Sequence, residues 1–348
     1  MSHEYERLPD PGEGLRLHLN ENTAGCSPRV IEALRRLTCE DAAYYPDYTQ
    51  AHARCAAHLG LPPDRVLLVN GLDEGIHAVS FAHLQRAEDG SQHEAIIVEP
   101  AFDMYAACAS VASARIVQVM PRRDFAFPLE ETAAAITPAT RVVYLTSPNN
   151  PTGIPISRDD VARVALSMPP GGVVFLDEAY VDFARESFLD ALADWPNVVL
   201  GRTFAKAQGL AAIRAGCVAA HPHLIDRLRP FVPPYSINVY ARTAIVAALD
   251  DRDHLAWYRD QVAASRQLVY ALCSRLGLTC WPSEANFVLV RVGPRAGALV
   301  EALAARRIFI RDRSRQPGCE GCVRITTGVV DHTRQCLAAM EEVLCGGR

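Results

Sequence analysis

No apolar run in this 348-residue chain approaches the roughly 18 to 20 residues that a bilayer-spanning helix needs. The opening Met1-Ser2-His3-Glu4-Tyr5-Glu6-Arg7 has neither the basic head nor the apolar centre of an export signal, so a cytoplasmic location is expected. A stripe of basic residues is also missing. The net charge is −5 and the cations are scattered, which argues against nucleic acid and membrane surfaces and leaves small soluble molecules as partners. There is no internal repeat and no low-complexity linker. A disulfide framework is excluded by setting: the 11 cysteines are odd in number, the chain is large, and Cys55, Cys108, Cys217 and Cys273 read as small hydrophobes. The pair Cys319-Glu320-Gly321-Cys322 has half the spacing of a zinc or redox site, but no second pair or His-x-x-x-His follows, and no metal is expected.

What is present is an ordinary globular composition, 49% hydrophobic and 22% charged, in a chain long enough for about two domains. Short apolar, β-rich runs (65–69, 95–98, 141–145, 172–176, 197–200 and 215–220) alternate with amphipathic helical stretches (74–84, 104–112, 129–135, 158–168 and 189–194). This alternation predicts an α/β fold: a large domain with a mainly parallel sheet covered by helices on both faces. Beyond Arg229-Pro230-Phe231-Val232-Pro233-Pro234-Tyr235 the alternation stops. A long helical region over 239–276, broken near Asp250-Asp251, leads into strands at 285–292, 308–311 and 323–326 and helices at 296–306 and 332–344, a smaller α+β C-terminal domain.

Open α/β sheets bind ligands beyond the carboxyl ends of their strands, and several polar residues fall there. Asp177 ends a buried run, and Lys206 lies downstream with Thr203 three residues before it and Arg214 eight after it. A carboxylate, an amine and a cationic fork with a hydroxyl suit a cofactor that has a basic ring nitrogen, an aldehyde and a phosphate, which describes pyridoxal phosphate. Asp177 would pair with the ring nitrogen and raise its pKa. Lys206 would hold the aldehyde and then shuttle a proton, with Asp177 and Tyr180 completing the catalytic set. Thr203, Arg214 and the backbone where Gly71-Leu72-Asp73 opens a helix would take the phosphate. Asn150 and Tyr180 can donate to the ring oxygen, and Phe102 can stack on the ring face. Each has a plainer alternative: a strand-end cap for Asp177, a turn for Asn150, core packing for Phe102.

Taken together, Leu19-Asn20-Glu21-Asn22, Tyr45-Pro46-Asp47, Asn70-Gly71-Leu72-Asp73-Glu74, Pro148-Asn149-Asn150-Pro151-Thr152-Gly153, Asp177-Glu178-Ala179-Tyr180, Arg202-Thr203-Phe204-Ala205-Lys206, Arg311-Asp312 and Arg324-Ile325-Thr326 span nearly the whole chain. In these segments it resembles the fold-type-I pyridoxal-phosphate enzymes, specifically the class-II aminotransferases and most closely the histidinol-phosphate aminotransferases. The resemblance implies an arm at 1–29 packing on the small domain, a cofactor domain at 30–250 and a small domain at 251–348. It implies a homodimer in which Tyr45 reaches the partner's cofactor phosphate, with Arg324, Arg311 and Asn22 binding substrate. The activity implied is transfer of an amino group from histidinol phosphate to 2-oxoglutarate, in histidine biosynthesis. Some positions depart from the pattern: Thr23-Ala24 stand where a proline and an aromatic residue are common, Phe102 where tyrosine is frequent, Ala205 where serine usually precedes the lysine, and Ser147 where asparagine often stands. These departures keep open a decarboxylase, lyase or cyclase acting on a specialised amino acid in secondary metabolism.

Overall fold

The central strand Val173–Asp177 is buried at every residue, as an apolar run in a sheet covered on both faces must be. The structure, a computed structural model, describes residues 10–346. Seven strands form the large sheet in the spatial order Val66–Val69, Gly216–Ala219, Val198–Thr203, Val173–Asp177, Thr140–Thr146, Glu94–Val98 and Arg115–Val119. Neighbours from Val198–Thr203 outward to Arg115–Val119 pair in parallel, whereas Gly216–Ala219 runs antiparallel to both of its neighbours. Two apolar cores line its faces, one built around Leu145, Val174 and Leu176, the other around Tyr144, Phe175 and Val199.

Sequence reasoning and structure part at the sheet's edge and in one connection. The strand Arg115–Val119 escaped the sequence pattern because it is an outer strand with exposed Arg115 and Gln118, so it carries no continuous apolar run. The segment expected as an α-helix at 189–194 is a 3-10 helix, Phe188–Asp194. Trp195, the residue before Pro196, leaves helical geometry at φ −119°, ψ 82° and ends the segment there.

The second unit is a four-stranded antiparallel sheet in the order Arg311–Asp312, Cys322–Thr326, Phe287–Arg291 and Thr279–Cys280. The helices Arg252–Leu276, Ala296–Ala305 and Val330–Cys345 share its apolar core. The break expected near Asp250-Asp251 is a cap: Asp251 leaves helical geometry at φ −102°, ψ 70° and its carboxylate accepts from the His254 N–H at 3.3 Å, ending one helix and starting the next. Near the N-terminus, Leu15–Arg16 pairs in parallel with Ile308–Phe309. That pairing carries the following segment, Leu19 to Asn22, back across the carboxyl ends of the large sheet. Tyr180, Phe183, Tyr258 and Phe287 pack together where the two units meet.

Candidate active site

At that junction lies a cavity of about 270 Å³ lined by Leu19, Asn20 and Glu21 from the N-terminal segment, by residues at the strand ends of the large sheet, and by arginines of the small sheet. Asp177 forms its floor. The carboxylate is buried, with Oδ2 accepting from the Tyr105 hydroxyl at 2.7 Å and Oδ1 from the Ala179 N–H at 2.8 Å. Burial pushes its pKa up to about 6, and the two hydrogen bonds pull the other way without cancelling it. Both groups that hydrogen-bond to this buried carboxylate are neutral, and the charge of Lys206 nearby only partly offsets its burial, so it suits a cation.

Lys206 follows the last residue of its strand by three positions, in a bend after Thr203. Its Nζ donates to the Leu19 carbonyl at 3.0 Å and lies 5.9 Å from the centroid of the Tyr180 ring. It is the only lysine in the chain: every other member of the 35 Lys and Arg residues is arginine. Tyr180 is buried, and its hydroxyl accepts from Asn20 Nδ2 at 3.0 Å, so its own proton remains available to a ligand oxygen. Asn150 is similar. Its Oδ1 accepts from Arg324, which leaves Nδ2 to donate.

At the opposite end, Gly71 at φ 72°, ψ 159° starts the helix Leu72–His83, whose first residues, Leu72 and Asp73, line the cavity in the turn where helical N–H groups have no intrahelical partner. Arg214, itself in the left-handed region at φ 60°, donates from Nη2 to Asp73 Oδ2 at 2.9 Å and from Nη1 to the Ala211 carbonyl at 3.2 Å. The Thr203 hydroxyl accepts from the Ala205 N–H at 3.1 Å and can still donate. Phe102 lines the wall beside Tyr105, with ring centroids 5.8 Å apart.

The small sheet contributes cations. Arg311 and Arg324 are direct cross-strand partners, and both line the cavity together with Arg313. Arg324 is buried, with Nη2 donating to the His18 carbonyl at 2.7 Å and its guanidinium 5.3 Å from the Phe287 ring centroid. Burial lowers the His18 pKa, with Glu21 opposing that and the nearby arginines reinforcing it.

Of the residues singled out from sequence, Leu72, Asp73, Phe102, Asn150, Asp177, Tyr180, Thr203, Lys206, Arg214, Arg311 and Arg324 meet at this cavity, with Gly71 at its rim beside Arg214. One expected member, Asn22, does not, and Tyr45 was expected at a partner's cofactor and not in this cavity. Asn22 is committed elsewhere: Nδ2 donates to the Ala207 carbonyl at 2.8 Å and Oδ1 accepts from the Ala24 N–H at 2.9 Å, so it shapes the N-terminal segment and its neighbour Asn20 faces inward instead. Tyr45 is outside its own chain's cavity, 78% exposed and stacked on Tyr235 at 4.1 Å. Sequence reasoning missed Tyr105, which holds Asp177, and Arg313. Tyr105 carried no signal, because its role depends on a strand 72 residues away. Asn20 carried one: an asparagine, a residue type that tolerates the left-handed region, stands at φ 56° where the chain must turn sharply. Cys319 and Cys322 are buried free thiols, and among the described residues no group of His, Cys, Asp and Glu is placed to hold a metal. No helix among those residues is long and apolar enough to cross a membrane.

The chain is similar to known proteins over nearly its whole length. The family model "Aminotransferase class I and II" matches residues 13–339. The histidinol-phosphate aminotransferase of Roseiflexus castenholzii is 36% identical over 352 residues, covering 97% of this chain and 92% of that protein. Histidinol-phosphate aminotransferase 2 of Ralstonia nicotianae is also 36% identical, over 95% of this chain and 88% of that one. The crystal structure of histidinol-phosphate aminotransferase from Sinorhizobium meliloti in complex with pyridoxal-5'-phosphate superposes with a TM-score of 0.86 at 27% identity, covering 96% of this chain and 92% of that one.

Proposed function

The chain belongs to the class I and II aminotransferases, and from that membership we propose that it moves the amino group of histidinol phosphate to 2-oxoglutarate with pyridoxal phosphate as its cofactor. The observation that carries the reading is the meeting of the chain's only lysine with a buried, cation-seeking aspartate in one cavity. Bound pyridoxal phosphate supplies an aldehyde for amine capture and an electron-withdrawing ring that stabilises charge on the adjacent carbon.

The residues suit that group. Asp177 would pair with the ring nitrogen and keep it protonated, Tyr180 and Asn150 would donate to the ring oxygen, and Phe102 would offer its ring for stacking. Lys206 Nζ would hold the aldehyde, and the same amine would take and return the proton at the substrate carbon. Arg214, Thr203 and the N–H groups after Gly71 hold the phosphate. Arg324 and Arg311 grip the anionic end of the substrate, for which a planar guanidinium is suited whether that end is carboxylate or phosphate.

Gly71 tests the phosphate cradle. A Cβ there would collide with the Arg214 guanidinium, 2.8 Å from its Cζ, on a backbone at φ +72° that L side chains rarely adopt. Gly71→Ala is therefore expected to drive the guanidinium from its place, to weaken cofactor affinity at least about 10-fold, and to cost about 1–2 kcal/mol of stability. Titrating apoprotein with pyridoxal phosphate measures it; unaltered affinity would remove Gly71 and Arg214 from the cradle.

The same reading takes the molecule as a cytoplasmic homodimer in which Tyr45 serves the partner's cofactor phosphate. Its support is that four exposed tyrosines, Tyr44, Tyr45, Tyr235 and Tyr240, gather around one surface depression. Sedimentation as a monomer would rule it out. Division into an arm (1–29), a cofactor unit (30–250) and a small unit (251–348) belongs to this reading too, with residues 1–9 of the arm outside the described residues.

An absorbance screen of the holoenzyme against amino acids and histidinol phosphate tests the function. Loss of the cofactor band with histidinol phosphate, followed by stoichiometric glutamate on adding 2-oxoglutarate, is the expected result. Carbon dioxide or ammonia released without glutamate would point to the decarboxylase or lyase chemistry instead.

A further inference from the structure

Arg311 and Arg313 are two residues apart on an extended segment, so their side chains leave the same side of it. Arg324 stands directly opposite Arg311 on the neighbouring strand, and the ladder continues through the Arg313 N–H, which donates to the Cys322 carbonyl at 2.9 Å. Three guanidinium groups thus share one face of the small sheet and line one cavity. Like charges placed this way repel, and nothing in the fold of the sheet requires them.

Arg313 is the least explained of the three. It is 9% exposed, and burial is the main cause that lowers its pKa, with Arg311 adding to the effect and Asp103 opposing it. Nε donates to Gln316 Oε1 at 2.9 Å, and Gln316 Nε2 in turn donates to the Ala101 carbonyl at 2.8 Å, which fixes the direction of the fork. Among the described residues its terminal nitrogens make no hydrogen bond, and no carboxylate lies within ion-pair distance of it. Aspartate and glutamate outnumber lysine and arginine in this chain, 40 to 35, so a cation left buried without a carboxylate is not a shortage of acids. A buried cation held in a fixed direction toward open space is costly until an anion arrives.

We infer that Arg313 is a specificity-determining residue of the substrate site, a third cation that makes the cavity prefer an amine whose far end is a phosphate monoester over one that ends in a single carboxylate or in no anion. The inference rests on the proposed function, because it takes the arginine face as the seat of the substrate's far end. A phosphate monoester carries a charge near −2 at neutral pH and three acceptor oxygens, enough for more than one guanidinium fork. One carboxylate has charge and lone pairs for fewer. Arg313 would thus supply discrimination without touching the reacting carbon.

The test uses holoenzyme and two amines, histidinol phosphate and histidinol, which differ only in the phosphate. Their dissociation constants, read from the cofactor absorbance, are compared in the wild type, Arg313→Gln and Arg313→Lys. Arg313→Gln is expected to lower the preference for the phosphorylated amine at least about 10-fold, with histidinol affinity and cofactor spectrum unchanged and Tm no lower than that of wild type; Arg313→Lys should restore part of the preference. An unchanged preference in Arg313→Gln, or equal weakening for both amines, overturns the inference. If neither amine alters the wild-type spectrum, the proposed function fails, and the arginine face is then probed with inorganic phosphate and succinate by calorimetry. Selective loss of phosphate binding in Arg313→Gln would still support the anion preference; equal binding to wild type and variant would refute it.

Discussion

Lys206→Ala is expected to cut turnover by at least about 10⁴-fold, to background, while leaving a folded protein that still binds the cofactor noncovalently. The side chain lies between buried and exposed, and its one hydrogen bond is to the Leu19 carbonyl. Truncation therefore removes little packing, and a stability change within about 1 kcal/mol is expected. The loss of function has no remedy from nearby, because the chain has no second lysine. That fact makes the measurement unusually clean. Borohydride reduction of wild-type holoenzyme should fix the cofactor to a single peptide containing Lys206, and the variant should release all of it on denaturation. Activity within tenfold of wild type in the variant would show that the reaction does not pass through this amine.

Asp177→Asn should produce opposite effects on activity and stability. The aspartate accepts from Tyr105 and the Ala179 N–H; an asparagine of the same shape can accept from Ala179 with Oδ1 and donate from Nδ2 to the Tyr105 oxygen, whose proton then turns to Thr146, while the charge is removed. With no anion to hold a proton on the ring nitrogen, kcat/KM should fall by about 10²–10³-fold. In apoprotein the sign of the stability change follows from the titration. Burial raises the folded pKa from 3.8 to about 6, so between those values the folded state holds a proton that the unfolded state has released. The group's contribution is most favourable below about pH 4 and is lost as pH rises through about 6, a change of roughly 3 kcal/mol. An amide side chain at this position cannot titrate, so the variant apoprotein should overtake wild type above pH 6, and the gap should narrow when the cofactor is bound and its ring cation pairs with the wild-type carboxylate. Denaturant midpoints from pH 4 to 8 check this. A stability difference that does not vary with pH would mean that Asp177 carries no unfavourable charge in the folded state.

Most of the large sheet could be read from the chain because its strands are buried on both faces and so appear as unbroken apolar runs, as in Val142 to Leu145 and Val173 to Leu176. Arg115–Val119 was hidden for the converse reason: an edge strand mixes exposed polar residues with buried ones, and its period competes with loop composition. The candidate site divides along a similar line. Lys206, Asp177 and Thr203 were legible because each sits at a strand end or in the bend just after one, a place that sequence spacing can locate, and Arg214 because it follows Lys206 closely, just before the strand whose first residue pairs with Thr203. Tyr105 and Arg313 were not. A tyrosine within an apolar helix and an arginine in a basic loop have unremarkable neighbours in sequence, and their meaning comes from a carboxylate and a cavity reached only after folding.

Asn22 shows why even a well-placed motif needs coordinates. Leu19, Asn20, Glu21 and Asn22 were identifiable together as a site segment, yet which of the two asparagines faces inward depends on a left-handed residue at Asn20 and on the Ala207 carbonyl that captures Asn22. Most of the order of strands and helices, the single lysine and the strand-end position of Asp177 were determined by local sequence, because hydrophobic period and strand-end position are properties of neighbours along the chain. The antiparallel turn of Gly216–Ala219, the depth of Asp177 and the gathering of Arg311, Arg313 and Arg324 on one wall were decided only by tertiary structure, because burial and charge proximity arise between segments that sequence separates by many residues.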